Sequence, residues 1–466
     1  MSGLGFLGIA EASTLMRARQ LSPVELTTAL LERIDRIDRR VNAFIKVTPE
    51  AALAAARQAE AEIGAGRWRG PFHGIPYALK DIIDVAGLPT TAHSKLLASN
   101  LAATDAPVAA RLRDAGGILL GKLSTHEFAI GGPSFDLPWP PARNPWNLDH
   151  FAGGSSSGSG AGLAAELFPA ALGTDTGGSI RNPASQCGIT GMKPTYGRVS
   201  RRGAFPLAFS LDHVGPMTRG VRDNALMLQV IAGHDPDDPA SADEPVPDYT
   251  QGLEQGVKGL RIGVIRQFYT SDLAGDPEMV AAVEAAARWF AEAGATLSEI
   301  RLPPLQDLSA CGQVIMCAEA YAVHERWLKE RPQDYGARGR ERLLAGAGVR
   351  AADYLQAVRW RRRLRDAAAA AFVGIDLALT VSSHDPACRI DDDAALGATY
   401  GRQARMAFNV TGQPALVIPA GFARNGLPLS VQLVGRPFAE AVLYRAAAAY
   451  EAATRWTDRH PEGLVD

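Results

Sequence analysis

The sequence predicts one large domain of the layered α/β class. Three observations carry this expectation. Amphipathic helical stretches alternate with short apolar runs of strand length through most of the chain. No internal repeat and no convincing linker divides the 466 residues, so 1–466 is read as a single domain. Between residues 153 and 179, two small-residue loops flank one Ala/Leu-rich segment. A flexible Gly/Ser linker would not continue into a buried helix and then a second loop of the same chemistry.

Composition narrows the class of partner. A net charge of −2 carries no basic footprint for nucleic acid and no polybasic patch for a membrane surface. Hydrophobic residues at 47% and charged residues at 21% are those of an ordinary globular protein, and no apolar run reaches bilayer length. A small neutral molecule is therefore the expected partner. Cys187, Cys311, Cys317 and Cys388 are scattered without C-x-x-C spacing, which favours a reducing compartment over a disulfide framework or a zinc site. Residues 1–10 lack a basic flank followed by an apolar run, so no secretory signal is expected and the expected location is cytoplasmic. No metal or organic cofactor is expected, because no His/Cys/carboxylate cluster has ligand spacing.

The elements follow in order. Residues 1–66 read as helices that pack on the main body, with Ser22-Pro23-Val24-Glu25 as a capping box and Leu26, Leu30, Ile34 and Ile37 on one face. Thr48-Pro49-Glu50 starts a second, Ala-rich helix. Residues 77–79 read as a short strand with Lys80 at its end. Lys80 is a snorkelling surface residue, half of an ion pair with Asp81 or Asp84, or, if buried, a lysine whose ammonium is disfavoured and which can act as a base. A helix over 107–113 and a strand over 117–122 follow. Residues 124–146 are irregular and lead directly into the Gly/Ser stretch, which makes Phe128, Ile130, Gly131 and Gly132 candidate pocket wall. Later helices are expected near 223–232, 278–293, within 318–372 and at 439–453, with strands at 261–266, 377–381, 414–418 and 429–434. The acidic, proline-rich stretch 234–248 reads as a solvated loop, and the arginine run 359–365 as a solvated helix face.

Three chemistries compete for the small-residue loops. A phosphate loop requires Lys-Ser/Thr after the glycines, and neither loop has it. Gly154-Ser155-Ser156-Ser157-Gly158 matches the pattern of a nucleophile elbow, with His384 beside Asp385 as the tempting histidine, but the elbow follows a strand and residues 147–153 are polar and irregular. The third chemistry is a serine nucleophile with a lysine base. In Thr176-Gly177-Gly178-Ser179 successive amides can converge on an oxyanion while Ser179 attacks, and a neutral Lys80 takes its proton directly or through a hydroxyl of the first loop.

These residues resemble the amidase signature family. Gly153-Gly154-Ser155-Ser156, the stretch 173–181, Lys193-Pro194-Thr195 and the strand-end Lys80 match its pattern in type, order and spacing. The likeness continues through Asn144-Pro145-Trp146, Asp212-His213-Val214-Gly215-Pro216-Met217, Asn409-Val410-Thr411-Gly412-Gln413-Pro414 and Gln432-Leu433-Val434-Gly435-Arg436. It implies one α/β domain with a large twisted mixed sheet between helices, and a catalytic motif region over 70–220. It further implies Ser179 as nucleophile, Ser155 on a cis peptide as bridging serine, Lys80 as base, and the amides of Thr176, Gly177, Gly178 and Ser179 as oxyanion hole. Ser156, Asp175 and Arg181 become structural supports of the loops. Ser157 and Ser185-Gln186 depart from the family pattern without touching these positions.

The expected function is hydrolysis of the C–N bond of a small acyl amide, or of a related hydrazide, carbamate or ester. Phe128, Ile130, Phe135, Trp139 and Trp146 point to an apolar or aromatic acyl group. The alternative is the glutamine-hydrolysing component of a tRNA-dependent amidotransferase complex. That reading needs charged groups for the α-carboxylate and α-amine of glutamine, and the tyrosine expected of the glutamine-using branch is absent from Gly312-Gln313-Val314-Ile315. A homodimer is the expected assembly.

Overall fold

The computed structural model describes residues 4–464. Among these, eleven strands form one continuous mixed sheet: β1 (Phe44–Val47), β2 (Pro76–Lys80), β3 (Ile118–Leu123), β4 (Ala170–Thr174), β5 (Thr190–Lys193), β6 (Val214–Thr218), β7 (Arg261–Val264), β8 (Thr296–Glu299), β9 (Leu377–Thr380), β10 (Ala415–Phe422) and β11 (Pro428–Gly435). Their order across the sheet is β1-β3-β2-β4-β6-β5-β10-β11-β9-β7-β8. β2 runs parallel to both β3 and β4, and β7 runs parallel to β8 and β9. The remaining pairings are antiparallel. Helices cover both faces of the centre, which is why β2, β4, β10 and β11 are buried nearly throughout and read as apolar runs rather than as alternation.

The N-terminal region corrects the sequence reading in one place. Ser22 caps the helix Pro23–Val41 as expected, its Oγ accepting from the Val24 amide at 2.9 Å while Glu25 accepts from the Ser22 amide at 2.9 Å. The Ala-rich helix is Pro49–Gly64. Between them, however, Phe44–Val47 is not helical but the edge strand of the sheet, paired with β3. Residues 1–3 of the expected helical region lie outside the described residues, as do 465 and 466.

A strand that periodicity did not reveal matters to function. β4 lies inside the Ala/Leu-rich segment between the two small-residue loops, after the buried helix Ser157–Ala164. β2 and β4 are parallel neighbours, with Leu79 opposite Leu172, so their C-terminal residues Lys80 and Thr174 emerge side by side. A crevice at the carboxyl ends of parallel strands is a general place for a site in an α/β sheet.

Candidate active site

Lys80 ends β2 with no solvent exposure. Its Nζ donates to Ser155 Oγ at 2.7 Å and to Thr174 Oγ1 at 2.8 Å. It does not pair with either aspartate the sequence offers nearby, because Asp81 is bonded instead to Lys122 at 2.8 Å. Burial lowers the Lys80 pKa to about 7, against the weaker opposing pull of Asp175 and Asp212. Near neutral pH this amine therefore holds a usable lone pair. Ser155 follows a cis peptide from Gly154. A Cβ on Gly154 would collide with the imidazole of His126, so no larger residue fits beside that ring.

The two loops are stitched to one another. The Ser156 amide donates to the Ser179 carbonyl at 3.1 Å, Ser156 Oγ and the backbone of Thr174 exchange two bonds at 3.2 Å, and the Gly154 amide donates to Asn182 Oδ1 at 2.9 Å. Beneath the second loop lies a buried ion pair. Arg181 Nη2 and Nε donate to the two oxygens of Asp175 at 2.8 and 3.0 Å, and its other donors reach the Arg405 carbonyl, Gln432 and Asn409. Burial works to raise the Asp175 pKa. The charge and hydrogen bonds of Arg181, with Lys193 and Asn409, outweigh it and hold the carboxyl well below the usual range.

This pair also decides which amides of the loop are available. The Gly178 amide donates to Asp175 Oδ1 at 2.8 Å, so it is turned inward and is not free for an oxyanion, contrary to expectation. Gly178 has φ +126°, and a Cβ there would collide with the Arg405 side chain. The amides of Thr176, Gly177 and Ser179 have no hydrogen-bond partner among the described residues. Thr176 is held from its side chain, whose hydroxyl donates to Asp212 at 2.5 Å. Ser179 is 8% exposed, and its hydroxyl makes no hydrogen bond among the described residues.

Ser179 opens onto a cavity of about 330 Å³. Ile130 and Gly131 line it, as expected, together with Gly154, Gly177 and Gly178. Phe128 does not. Its ring is buried against Phe205, His324, Trp327 and Tyr335, with centroids 4.4–6.0 Å apart. Gly132 instead borders a small separate cavity beside His126 and Ser157. The other aromatics that pointed to an apolar acyl group also lie elsewhere. Phe135 is exposed, Trp139 packs on His93, and Trp146 packs on Phe422 while donating to the Cys187 carbonyl. The cavity wall contains Asn182, Gln313, Tyr400, Gln403, Arg342 and Arg405, and no Asp or Glu among the described residues.

Sequence reasoning missed Thr174, Asp212, Arg342 and Arg405. The first two sit in or beside motifs it quoted, whereas the two arginines carried no local signal. His384 is buried with Nε2 on the Phe268 carbonyl at 2.8 Å, and Asp385 is paired with Arg402, so this couple does not reach the Ser155 loop as a nucleophile elbow requires. Ser185 bonds Ser430, and Gln186 reaches the Asp385 carbonyl, so the Ser185-Gln186 departure is a packing feature. No cluster of three His, Cys, Asp or Glu suited to a metal ion occurs among the described residues, and no described helix is long and apolar enough to cross a membrane. The arginine run is only partly solvated, because Arg361 donates to the carbonyls of Val410 and Asn409.

The Amidase family profile matches residues 25–444. An amidase of Pseudomonas putida is 44% identical over 473 residues, covering 99% of both chains. The A-type component of the glutamyl-tRNA(Gln) amidotransferase of Trichlorobacter lovleyi is 42% identical over 474 residues, covering 96% of this chain and 97% of its own. The native peptide amidase of Stenotrophomonas maltophilia superposes with a TM-score of 0.85 at 34% identity, covering 96% of this chain and 97% of that one.

Proposed function

The chain belongs to the amidase family, and on that premise we propose that it hydrolyses the C–N bond of a small acyl amide through an acyl-enzyme on Ser179. The observation that carries this reading is a fully buried, partly neutral Lys80 held 2.7 Å from Ser155 Oγ. In the proposed sequence Ser179 Oγ attacks the carbonyl carbon. Its proton passes to Ser155 Oγ as the Ser155 proton passes to Lys80 Nζ. The amides of Thr176, Gly177 and Ser179 are the free donors for the tetrahedral oxyanion. Collapse expels the amine, which takes the proton back through Ser155, and water then attacks the acyl-enzyme by the same relay in reverse. Asp175, Arg181 and Ser156 hold the loops and touch no reacting atom.

The Lys80 pKa sets the expected pH dependence. The base works only when neutral, so kcat/KM rises with pH through about 7 and falls about tenfold per unit on the acid side. An initial-rate profile from pH 5 to 9 measures this. A flat profile across that range contradicts a lysine base.

A second reading is favoured by the relatives. Most of the similar proteins carry the name of the A-type component of glutamyl-tRNA(Gln) amidotransferase, including one 42% identical over nearly the whole chain. On this reading Ser179 would attack the side-chain amide of glutamine, and the chain would serve as one component of a larger assembly. Arg342 and Arg405 suit the α-carboxylate of glutamine, but the cavity lining offers no carboxylate for its α-ammonium. Rates on free glutamine and on a panel of aryl, alkyl and peptide amides separate the two readings. Turnover of glutamine alone favours the amidotransferase component, and turnover of other amides without a partner favours the free-standing amidase.

A further inference from the structure

Arg405 is 2% exposed and makes no ion pair among the described residues. Nη1 donates to Ser383 Oγ at 2.6 Å, while Nε is buried without a partner among them. The neighbouring charges are already committed: Arg181 holds Asp175, and Arg402 holds Asp385. Burial lowers the Arg405 pKa to about 9, the direction expected of a cation lacking its counter-ion. This guanidinium lies over Gly178, one residue from Ser179, and borders the same cavity. At the cavity rim stands exposed Arg342, also without a hydrogen bond or ion pair among the described residues. Two guanidinium groups without a counter-ion, and no acid among the described residues, line one pocket.

We propose that Arg405, with Arg342 at the rim, forms a carboxylate-binding subsite, and that the substrate is an amide whose acyl part ends in a carboxylate and bears no ammonium group. The proposal rests on the amide-hydrolase reading above. A guanidinium presents planar paired donors that match a carboxylate, and an incoming anion supplies the charge that Arg405 lacks within the fold. An ammonium group beside it would meet only like charge.

The test compares succinamate, glutaramate and adipamate with their neutral diamides, in which an amide replaces the carboxylate at almost unchanged shape. For at least one chain length the monoamide carboxylate is expected to show kcat/KM at least about tenfold above its diamide and above glutamine. Arg405→Gln and the exposed Arg342→Glu are expected to shrink that preference toward unity. Binding of glutarate to the Ser179→Ala protein, followed by calorimetry, is expected to be lost on adding Arg405→Gln or Arg342→Glu. Diamides cleaved as well as monoamides at every length overturn the carboxylate subsite and leave the hydrolase reading standing. Faster turnover of glutamine than of glutaramate overturns the exclusion of an ammonium group. No hydrolysis of any of these compounds together with no glutarate binding also overturns the subsite. Labelling of Ser179 by a sulfonyl fluoride reports separately whether the hydrolase reading has failed.

Discussion

Ser179→Ala is expected to lower kcat by about four orders of magnitude or more without disturbing the fold. The hydroxyl makes no hydrogen bond among the described residues, so its removal leaves no buried partner unpaired. Thermal unfolding within about 2 °C of the parent protein, alongside lost activity, is the expected result. Loss of activity through unfolding would show instead as a large drop in Tm. Lys80→Met makes a contrasting case. It also removes activity, but it strips Ser155 Oγ and Thr174 Oγ1 of a donor in a region with no solvent access, so some loss of stability accompanies it.

Arg181→Leu is expected to be the most destabilising single change at the site, at about 3–5 kcal/mol. It leaves the Asp175 carboxylate buried without its counter-charge and removes donors from Gln432, Asn409 and the Arg405 carbonyl. Those contacts tie the second loop to β11 and to the helix Met406–Thr411, so the loop that carries Ser179 loses its floor. Arg181→Lys keeps the charge but not the planar fork, and is expected to recover only part of the loss. Thermal melts of the two variants with activity on the same samples check this. An Arg181→Leu protein as stable as the parent would contradict the supporting role given to the pair.

The sequence was legible where chemistry is local. Lys80 closes a short apolar run, and the structure ends β2 there. Ser22 and Glu25 lie three residues apart, and their capping box forms as read. The helices Pro277–Glu292 and Glu440–Thr454 lie within one residue of the stretches expected, whereas Leu305–Glu330 begins thirteen residues before the expected 318–372, because its apolar residues follow no single face. Legibility fails where the outcome depends on distant partners. β1, β5 and β8 are four residues long and exist because a neighbouring strand offers hydrogen bonds, not because of their own pattern. The loop 124–146 borders the pocket, and on that ground alone Phe128 reads as pocket wall. In the fold its backbone takes φ 48° and turns the ring toward His324 and Trp327, far along the chain. Thr-Gly-Gly-Ser announces a loop of available amides, but Asp175 decides that the Gly178 amide points away from them. Arg405 reaches the cavity from a segment 226 residues beyond Ser179, and nothing in its surrounding sequence signals that it lacks a counter-ion.

Covalent trapping examines Ser179 as a nucleophile activated through Ser155 by Lys80. The protein is treated with phenylmethylsulfonyl fluoride across pH 5–9, and the adduct is located by peptide mass spectrometry. One sulfonyl group is expected on Ser179, forming faster as pH rises through about 7 and essentially absent in Lys80→Met. An adduct on Ser155 or another residue, or labelling of Ser179 that is indifferent to Lys80, would contradict that assignment.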